Sequence, residues 1–303
     1  MSHPVPSPAE PQGRRLTEAP ADEAPLGPGS LLWRFAGDWR SMLPGTATGV
    51  LQLMHPGIGA GVVEHSAFFS DPFDRIYRSI PQIWATIFAA DGDSRGRDIR
   101  DVHRTIKGAD DRGRRYHALD PETFWWAHAT FTWNVFRSVQ LFHLRPLAKG
   151  EREQLYAETV TWYRRYGVST RPVPADYGAF TEKFDRICAD VLEMTPAAGQ
   201  ALRYRLSDVP GQPLGPQPIA ALLGPLVAPA SELLLVGCLP RIVRERFAMP
   251  WGPAERAQFR GVVAGLRQSF RLVPQRLNRR TFMDVQRLVG ARTRDRRFRP
   301  TAA

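Results

Sequence analysis

Apolar residues recur at helical spacing along most of the chain. Leu31-Leu32-Trp33-Arg34-Phe35 opens the first such pattern, Leu43-Pro44-Gly45 interrupts it, and Thr46 to Met54 resumes it. Ser70-Asp71-Pro72 reads as a helix start, with Asp71 as N-cap and Pro72 at the first helical position. Ile76, Ile80, Ile83 and Ile87 give the following helix its apolar face, and Pro81 predicts a kink. Asp120-Pro121-Glu122 is a second start, with acidic residues at the positive end of the helix dipole. The segment it opens, Phe124 to Phe136, is apolar almost all round and is the expected central buried helix. His128, Thr132, Asn134 and Arg137 are its polar exceptions, and each needs a partner if buried. Further helices are expected over 151–166, closed by Gly167, over 175–193, after Thr195-Pro196, and over 253–273 and 281–290. Residues 110–115 read as a polar turn containing Gly113, and 208–218 as a Pro/Gly loop. Alternating β-type runs are nearly absent and no internal repeat is found. The expectation is an all-α fold of roughly ten helices in one domain. That domain spans residues 29–290, after an arm at 1–28 expected to be disordered and before a basic tail at 291–303.

Composition changes this picture little. Net charge is +11, carried almost wholly by arginine, since only Lys107, Lys149 and Lys183 are lysine. Such a balance suggests an anionic partner (nucleic acid, a membrane surface or an anionic cofactor) without choosing among them. Cys188 and Cys238 stand apart from any CxxC or CxxCH pattern, which argues against structural zinc and covalent haem attachment and suits a reducing compartment. No secretory signal and no uninterrupted apolar span is read, so a cytoplasmic location without stable membrane insertion is expected. GxGxxG, P-loop, GxSxG, HExxH and Glu-x-x-His patterns are missing. Cys238 lacks the glycine-rich ligand loop of thiolate-ligated haem enzymes. A histidine-ligated haem is the redox site this sequence most readily permits.

Candidate chemistry centres on Arg100-Asp101-Val102-His103-Arg104-Thr105-Ile106-Lys107. On a continuous helix, Ile99, Val102 and Ile106 form an apolar stripe, with Arg100, His103 and Lys107 on the adjacent face. An imidazole so placed could ligate the iron of an anionic haem, with the cations meeting its propionates. Alternatively, it is a partly buried histidine bonded to a backbone carbonyl, between two solvated cations. Gly59-Ala60-Gly61 would let a backbone approach something flat, or would simply serve tight helix packing. Arg75, Arg78 and Ser79 share a helix face and could steer an anion or donate to dioxygen; a solvated basic face is the other reading. His128 is either a pocket residue and alternative ligand or a satisfied core histidine. The aromatics Trp125, Trp126, Phe131 and Trp133 could shape an apolar pocket.

Several motifs in order resemble one family. They are His55-Pro56…Glu64-His65-Ser66, Asp71-Pro72…Arg75-x-x-Arg78-Ser79, Arg100-x-x-His103-x-x-x-Lys107, Tyr116-x-Ala118-Leu119-Asp120-Pro121, Trp126-Ala127-His128-Ala129-Thr130, Tyr156-x-Glu158 and Leu239-Pro240-Arg241. Together they resemble the MpaB-type oxygenases, also described as the rubber oxygenase catalytic domain or DUF2236 proteins, over approximately residues 30 to 290. The resemblance implies an all-helical, globin-like core holding haem b. It makes His103 the proximal ligand, places Arg100 and Lys107 in support of the ligand helix or the propionates, and leaves His128 as runner-up ligand. Arg75, Arg78 and Ser79 match an Arg-x-x-Lys-Thr segment that helps control dioxygen in latex-clearing members. Here arginine replaces the lysine and serine the threonine, and arginine does not readily act as a proton-transfer base. The expected activity is that of a haem b-dependent oxygenase acting on a small or medium apolar metabolite, such as an isoprenoid whose C=C bond is cleaved. Dioxygen or peroxide would be co-substrate, with an electron donor where the chemistry requires one. The alternatives are a haem-dependent hydroxylase or dehydrogenase of secondary metabolism, and a non-enzymatic basic helical module binding nucleic acid or anionic lipid. Arginines scattered without a helix-turn-helix pattern argue against nucleic acid as partner.

Overall fold

A computed structural model describes residues 26–66, 72–203 and 230–294. Almost all of the arm at 1–28, Asp71, the loop at 208–218 and the tail beyond 294 lie outside the described residues. So do the side chains of residues 72–78 and 289–294. The fold is all-α. Its helices are α1 (Leu31–Ala36), α2 (Gly45–Leu53), α3 (Pro56–His65), α4 (Pro72–Phe88), α5 (Gly92–Val102), α6 (Pro121–Phe142), α7 (Lys149–Arg164), α8 (Tyr177–Asp190), α9 (Pro196–Arg203), α10 (230–238), α11 (Arg241–Arg246), α12 (Pro253–Leu272) and α13 (Gln275–Arg294). A 3-10 turn, Trp39–Met42, follows α1, and α4 runs unbroken through Pro81. The final helix passes the expected domain limit at 290.

The central helix is α6. Asp120 caps it by accepting from the backbone N–H groups of Glu122 and Thr123, both at 3.1 Å, with Pro121 at the first turn. Its apolar girth is covered by α2 on one side and by α7, α8 and α12 on others, and Trp126 tilts against Phe184 of α8 at 4.8 Å. Buried polar groups fix which helix sits where. Asn134 donates to the Ser41 carbonyl and accepts from the Thr48 hydroxyl, both at 2.8 Å. Gln52 donates to the Ala127 carbonyl and the Thr130 hydroxyl, and the Trp126 indole donates to the Leu51 carbonyl. The Glu158 carboxylate on α7, buried, accepts from the Leu32 N–H at 2.6 Å, which meets the positive end of α1 with negative charge.

Sequence periodicity gives no sign of one element. Strands β1 (Lys107–Ala109) and β2 (Arg115–His117) pair antiparallel, with Gly108 opposite Tyr116. Their turn is the polar stretch foreseen at 110–115. Asp110 accepts from the N–H groups of Arg112 and Arg114, and Gly113 takes a φ of +76° that disfavours side chains. Strands this short carry too few residues for alternation to register.

The C-terminal helix is joined to the N-terminal part by Asp38, which is fully buried. Asp38 accepts from Arg40, from the Gln275 amide at 2.9 Å and from the Asn278 amide at 3.0 Å, while Asn278 accepts from the Trp39 N–H at 3.1 Å. Burial alone would raise the Asp38 pKa, but the hydrogen bonds from Arg40 and Gln275 outweigh it and hold the carboxyl at about 2. A carboxylate depressed in the folded state contributes stability that is present above its unfolded pKa and is lost as pH falls through its folded one. Stability should therefore drop by about 2 kcal/mol as pH goes from 4 to 2, and Asp38→Asn should flatten that part of the profile. Urea unfolding at a series of acid pH values reads both.

Candidate functional site

The helix carrying the lead candidate is shorter than its sequence pattern. α5 ends at Val102, and His103 is its C-cap residue. The chain then turns through 3-10-type bonds, Arg104 N–H to Asp101 O at 3.2 Å and Ile106 N–H to His103 O at 3.3 Å. Lys107 begins β1 instead, so the expected shared helix face of Arg100, His103 and Lys107 does not form. The β-branched pair Thr105-Ile106 and the pairing of Lys107 with His117 favour extended chain there. Arg100 pairs with Asp101 at 2.8 Å and donates to the Gly167 carbonyl at 3.2 Å, tying α5 to the end of α7. Lys107 is exposed.

His103 is half-buried. Its Nδ1 lies 2.7 Å from the Ile99 carbonyl oxygen, and its ring meets the Phe124 edge at 6.1 Å. A carbonyl only accepts, so Nδ1 is the donor in this contact. This is how imidazoles that bind a metal are oriented: one nitrogen is fixed on a carbonyl and the other aimed by it.

Residues 89–91 join α4 to α5, and the two helices pack along each other. Ser79 lies about nine residues before the end of α4, and His103 about eleven after the start of α5. Arg75 and Arg78 are on the described backbone, though their side chains lie outside the described residues. The Ser79 hydroxyl is buried without a hydrogen-bond partner among them, an uncommon state for such a group.

His128 sits deeper. Its Nε2 donates to the Thr159 carbonyl at 3.0 Å, and Trp162, Tyr163 and Tyr166 surround its ring at 4.6, 5.0 and 5.9 Å. Burial pushes its pKa down to about 3, so it stays neutral through the physiological range. It lines a cavity of about 10 Å³, room for one water, together with Trp125 and Thr132. Phe124 connects the two histidines, touching His103 on one side and Tyr166, at 5.4 Å, on the other. Trp125 and Trp126 are buried in the packing of α6 against α8, and Trp133 stacks on Phe184 at 5.9 Å. Apart from the water-sized space beside Trp125, these aromatics form core rather than a pocket wall.

A second constellation goes unassigned by sequence reasoning. The Tyr116 hydroxyl donates to the Glu64 carboxylate, and His65 Nε2 stands 3.8 Å from the same oxygen. Burial first, then the Glu64 charge, pushes the Tyr116 phenol well above its ordinary value. Nearby His55 is held down to about 4, chiefly by burial. The small residues of α3 serve this contact. A side chain at Gly61 would meet the Tyr116 ring at 3.3 Å, and one at Gly59 would meet the Leu53 carbonyl at 2.6 Å. The flat object that Gly61 admits is thus a tyrosine of the hairpin, whereas Gly59 serves close packing on Leu53 and Thr195. Glu64 also borders a cavity of about 180 Å³ with Arg112, Arg114 and Glu193, whereas His103 lines neither cavity. The signal for this group was present in Glu64-His65 and Tyr116, but without the hairpin register nothing joined them.

Both cysteines are buried, and burial raises their thiols, that of Cys238 to about 12. Neither is poised as a thiolate ligand.

The seating of α5 is close. A Cβ on Gly96 would lie 2.3 Å from the Arg165 carbonyl oxygen, and Arg165 itself donates to the Thr86 carbonyl at the end of α4. Gly96→Ala should cost about 1–3 kcal/mol by forcing backbone apart. Gly150→Ala, with nothing near the added methyl, should leave stability equal or slightly raised. Thermal melts of the two variants make the comparison.

Over residues 33–268 the chain matches the family described as ER-bound oxygenase mpaB/B'/Rubber oxygenase, catalytic domain. It is 25% identical over 241 residues to "Uncharacterized protein Mb2261" of Mycobacterium bovis and to "Uncharacterized protein Rv2237" of Mycobacterium tuberculosis. Each match covers 78% of this chain and 91% of the relative. No solved structure matches the chain significantly.

Proposed function

Because the chain belongs to the mpaB/rubber oxygenase catalytic-domain family, and is thereby an oxidoreductase of the oxygenase class, we propose that it is a haem b-dependent oxygenase with His103 as axial ligand. The observation that carries this reading is the Nδ1 hydrogen bond from His103 to the Ile99 carbonyl, which orients the ring as metal-binding imidazoles are oriented, with Nε2 the nitrogen that would ligate. One further observation supports it. The orphaned Ser79 hydroxyl, on the helix packed along α5, is a donor in want of an acceptor.

When bound, the haem supplies the redox chemistry that activates dioxygen or peroxide. The protein holds and surrounds it. His103 would hold the iron, and its hydrogen bond to Ile99 would raise the basicity of the ligating nitrogen. Arg75, Arg78 and Ser79 would polarise the oxygen substrate and stabilise negative charge on it. Arginine at position 78 keeps its proton, so it acts here as a donor and not as a base. Arg100 supports the ligand helix through its bond to Gly167, and Lys107 is an exposed cation on the neighbouring hairpin. His128, enclosed by aromatic rings and facing a water-sized cavity, is a structural histidine in this reading. The organic substrate is a small or medium apolar metabolite.

The absorption spectrum of protein reconstituted with haem b tests the assignment. Wild type should show a Soret band, His103→Ala should lose or strongly shift it, and His128→Gln should retain it. A Soret band unchanged in His103→Ala would overturn the ligand.

A further inference from the structure

Helix α13 and the turn before it present a stripe of apolar side chains to solvent. Leu272 is 85% exposed, Leu277 52% and Leu288 57%, with Val273 and Val285 beside them at 38% and 39%. On α13, Leu277, Val285 and Leu288 fall within an arc of about 80°. Asn278 and Phe282 take the buried face, with Phe282 meeting Phe88 of α4 at 6.4 Å and Asn278 bonded to Asp38. On the other side of the leucines, Arg276, Arg280 and Arg287 are exposed. The one acid of the helix, Asp284, stands 3.8 Å from Arg280 and 3.5 Å from Arg287, in solvated pairs that leave the helix strongly positive. Gln275–Arg294 holds six arginines against that single acid. The family match ends at residue 268, before the helix begins.

We propose that α13 lies flat on an anionic membrane surface, its leucine stripe among the lipid headgroups and its arginines on their phosphates. A narrow apolar face flanked by cations is the pattern of an interfacial helix. No helix among the described residues is long and apolar enough to cross a membrane, so the attachment is peripheral. Nucleic acid would satisfy the arginines but would leave the leucines in water. A second copy of the chain would cover the leucines but set like charges against each other. The helix packs along α4, so a docked α13 holds the α4–α5 pair close to the bilayer, where apolar molecules partition. The proposal does not depend on the cofactor.

Vesicle flotation of the full chain tests it, with phosphatidylcholine vesicles containing phosphatidylglycerol, phosphatidylcholine vesicles alone, and duplex DNA as a competing ligand. At about 0.1 M salt, where exposed charges are screened beyond about 10 Å, the protein should float with the anionic vesicles and much less with the neutral ones. Leu277→Ser combined with Leu288→Ser should weaken flotation tenfold or more, and Arg280→Gln with Arg287→Gln should do so on anionic vesicles. All four positions are exposed, so the melting temperature should hold; should the leucine pair fail to fold, the arginine pair still decides. No flotation with anionic vesicles would overturn the proposal. So would duplex binding that survives loss of both leucines while vesicle binding is absent. A solution dimer that the leucine changes dissociate, without vesicle binding, would do the same.

Discussion

A helix with apolar side chains on nearly every face must be enclosed on every side, and α6 imposes that demand on the rest of the chain. Leaving Trp126, Val135 and Phe142 in water would cost more than any hydrogen bond in the fold returns. Burying them strands the polar groups of the same helix, and their partners then choose the neighbours: Asn134 selects the 3-10 turn and α2, Thr130 takes Gln52, and His128 takes the Thr159 carbonyl of α7. Hydrophobicity sets how much must be covered, and the few buried polar atoms set which element covers it.

The helices were largely legible in the sequence because their signals are local. Asp120-Pro121-Glu122 announces a capped start, Gly167 at φ +63° a stop, and Thr195 a cap whose hydroxyl oxygen accepts from the Ala198 N–H at 3.1 Å. What was illegible depends on partners distant in sequence. The end of α5 is decided by the pairing of Lys107 with His117, and the C-terminal helix by Asp38, more than two hundred residues earlier. Neither leaves a periodic trace. Short helices such as α1 and α11 likewise owe their form to packing more than to propensity, which is why a coarse reading undercounts them.

At the candidate site, a histidine bonded to a backbone carbonyl is one of the two interpretations of His103, and the bond to Ile99 has that form. An imidazole held on a carbonyl is also how a metal ligand is oriented, so the bond is compatible with the proposed role. The helix face expected to carry Arg100, His103 and Lys107 together is not formed, because the chain leaves α5 after Val102 and Lys107 enters β1. The Glu64–Tyr116 contact was likewise hidden, since it joins a helix to a hairpin the pattern could not reveal.

The burial of Cys188 and Cys238 bears on durability in the presence of oxidants. Sulfur is the atom that peroxide and its relatives attack most readily, and they attack the thiolate. Both sulfurs lie within the packed interior with their protons retained, one at the end of α10 and one within α8. Packing of this kind shields both sulfurs from oxidants in solution and from cross-linking with another molecule.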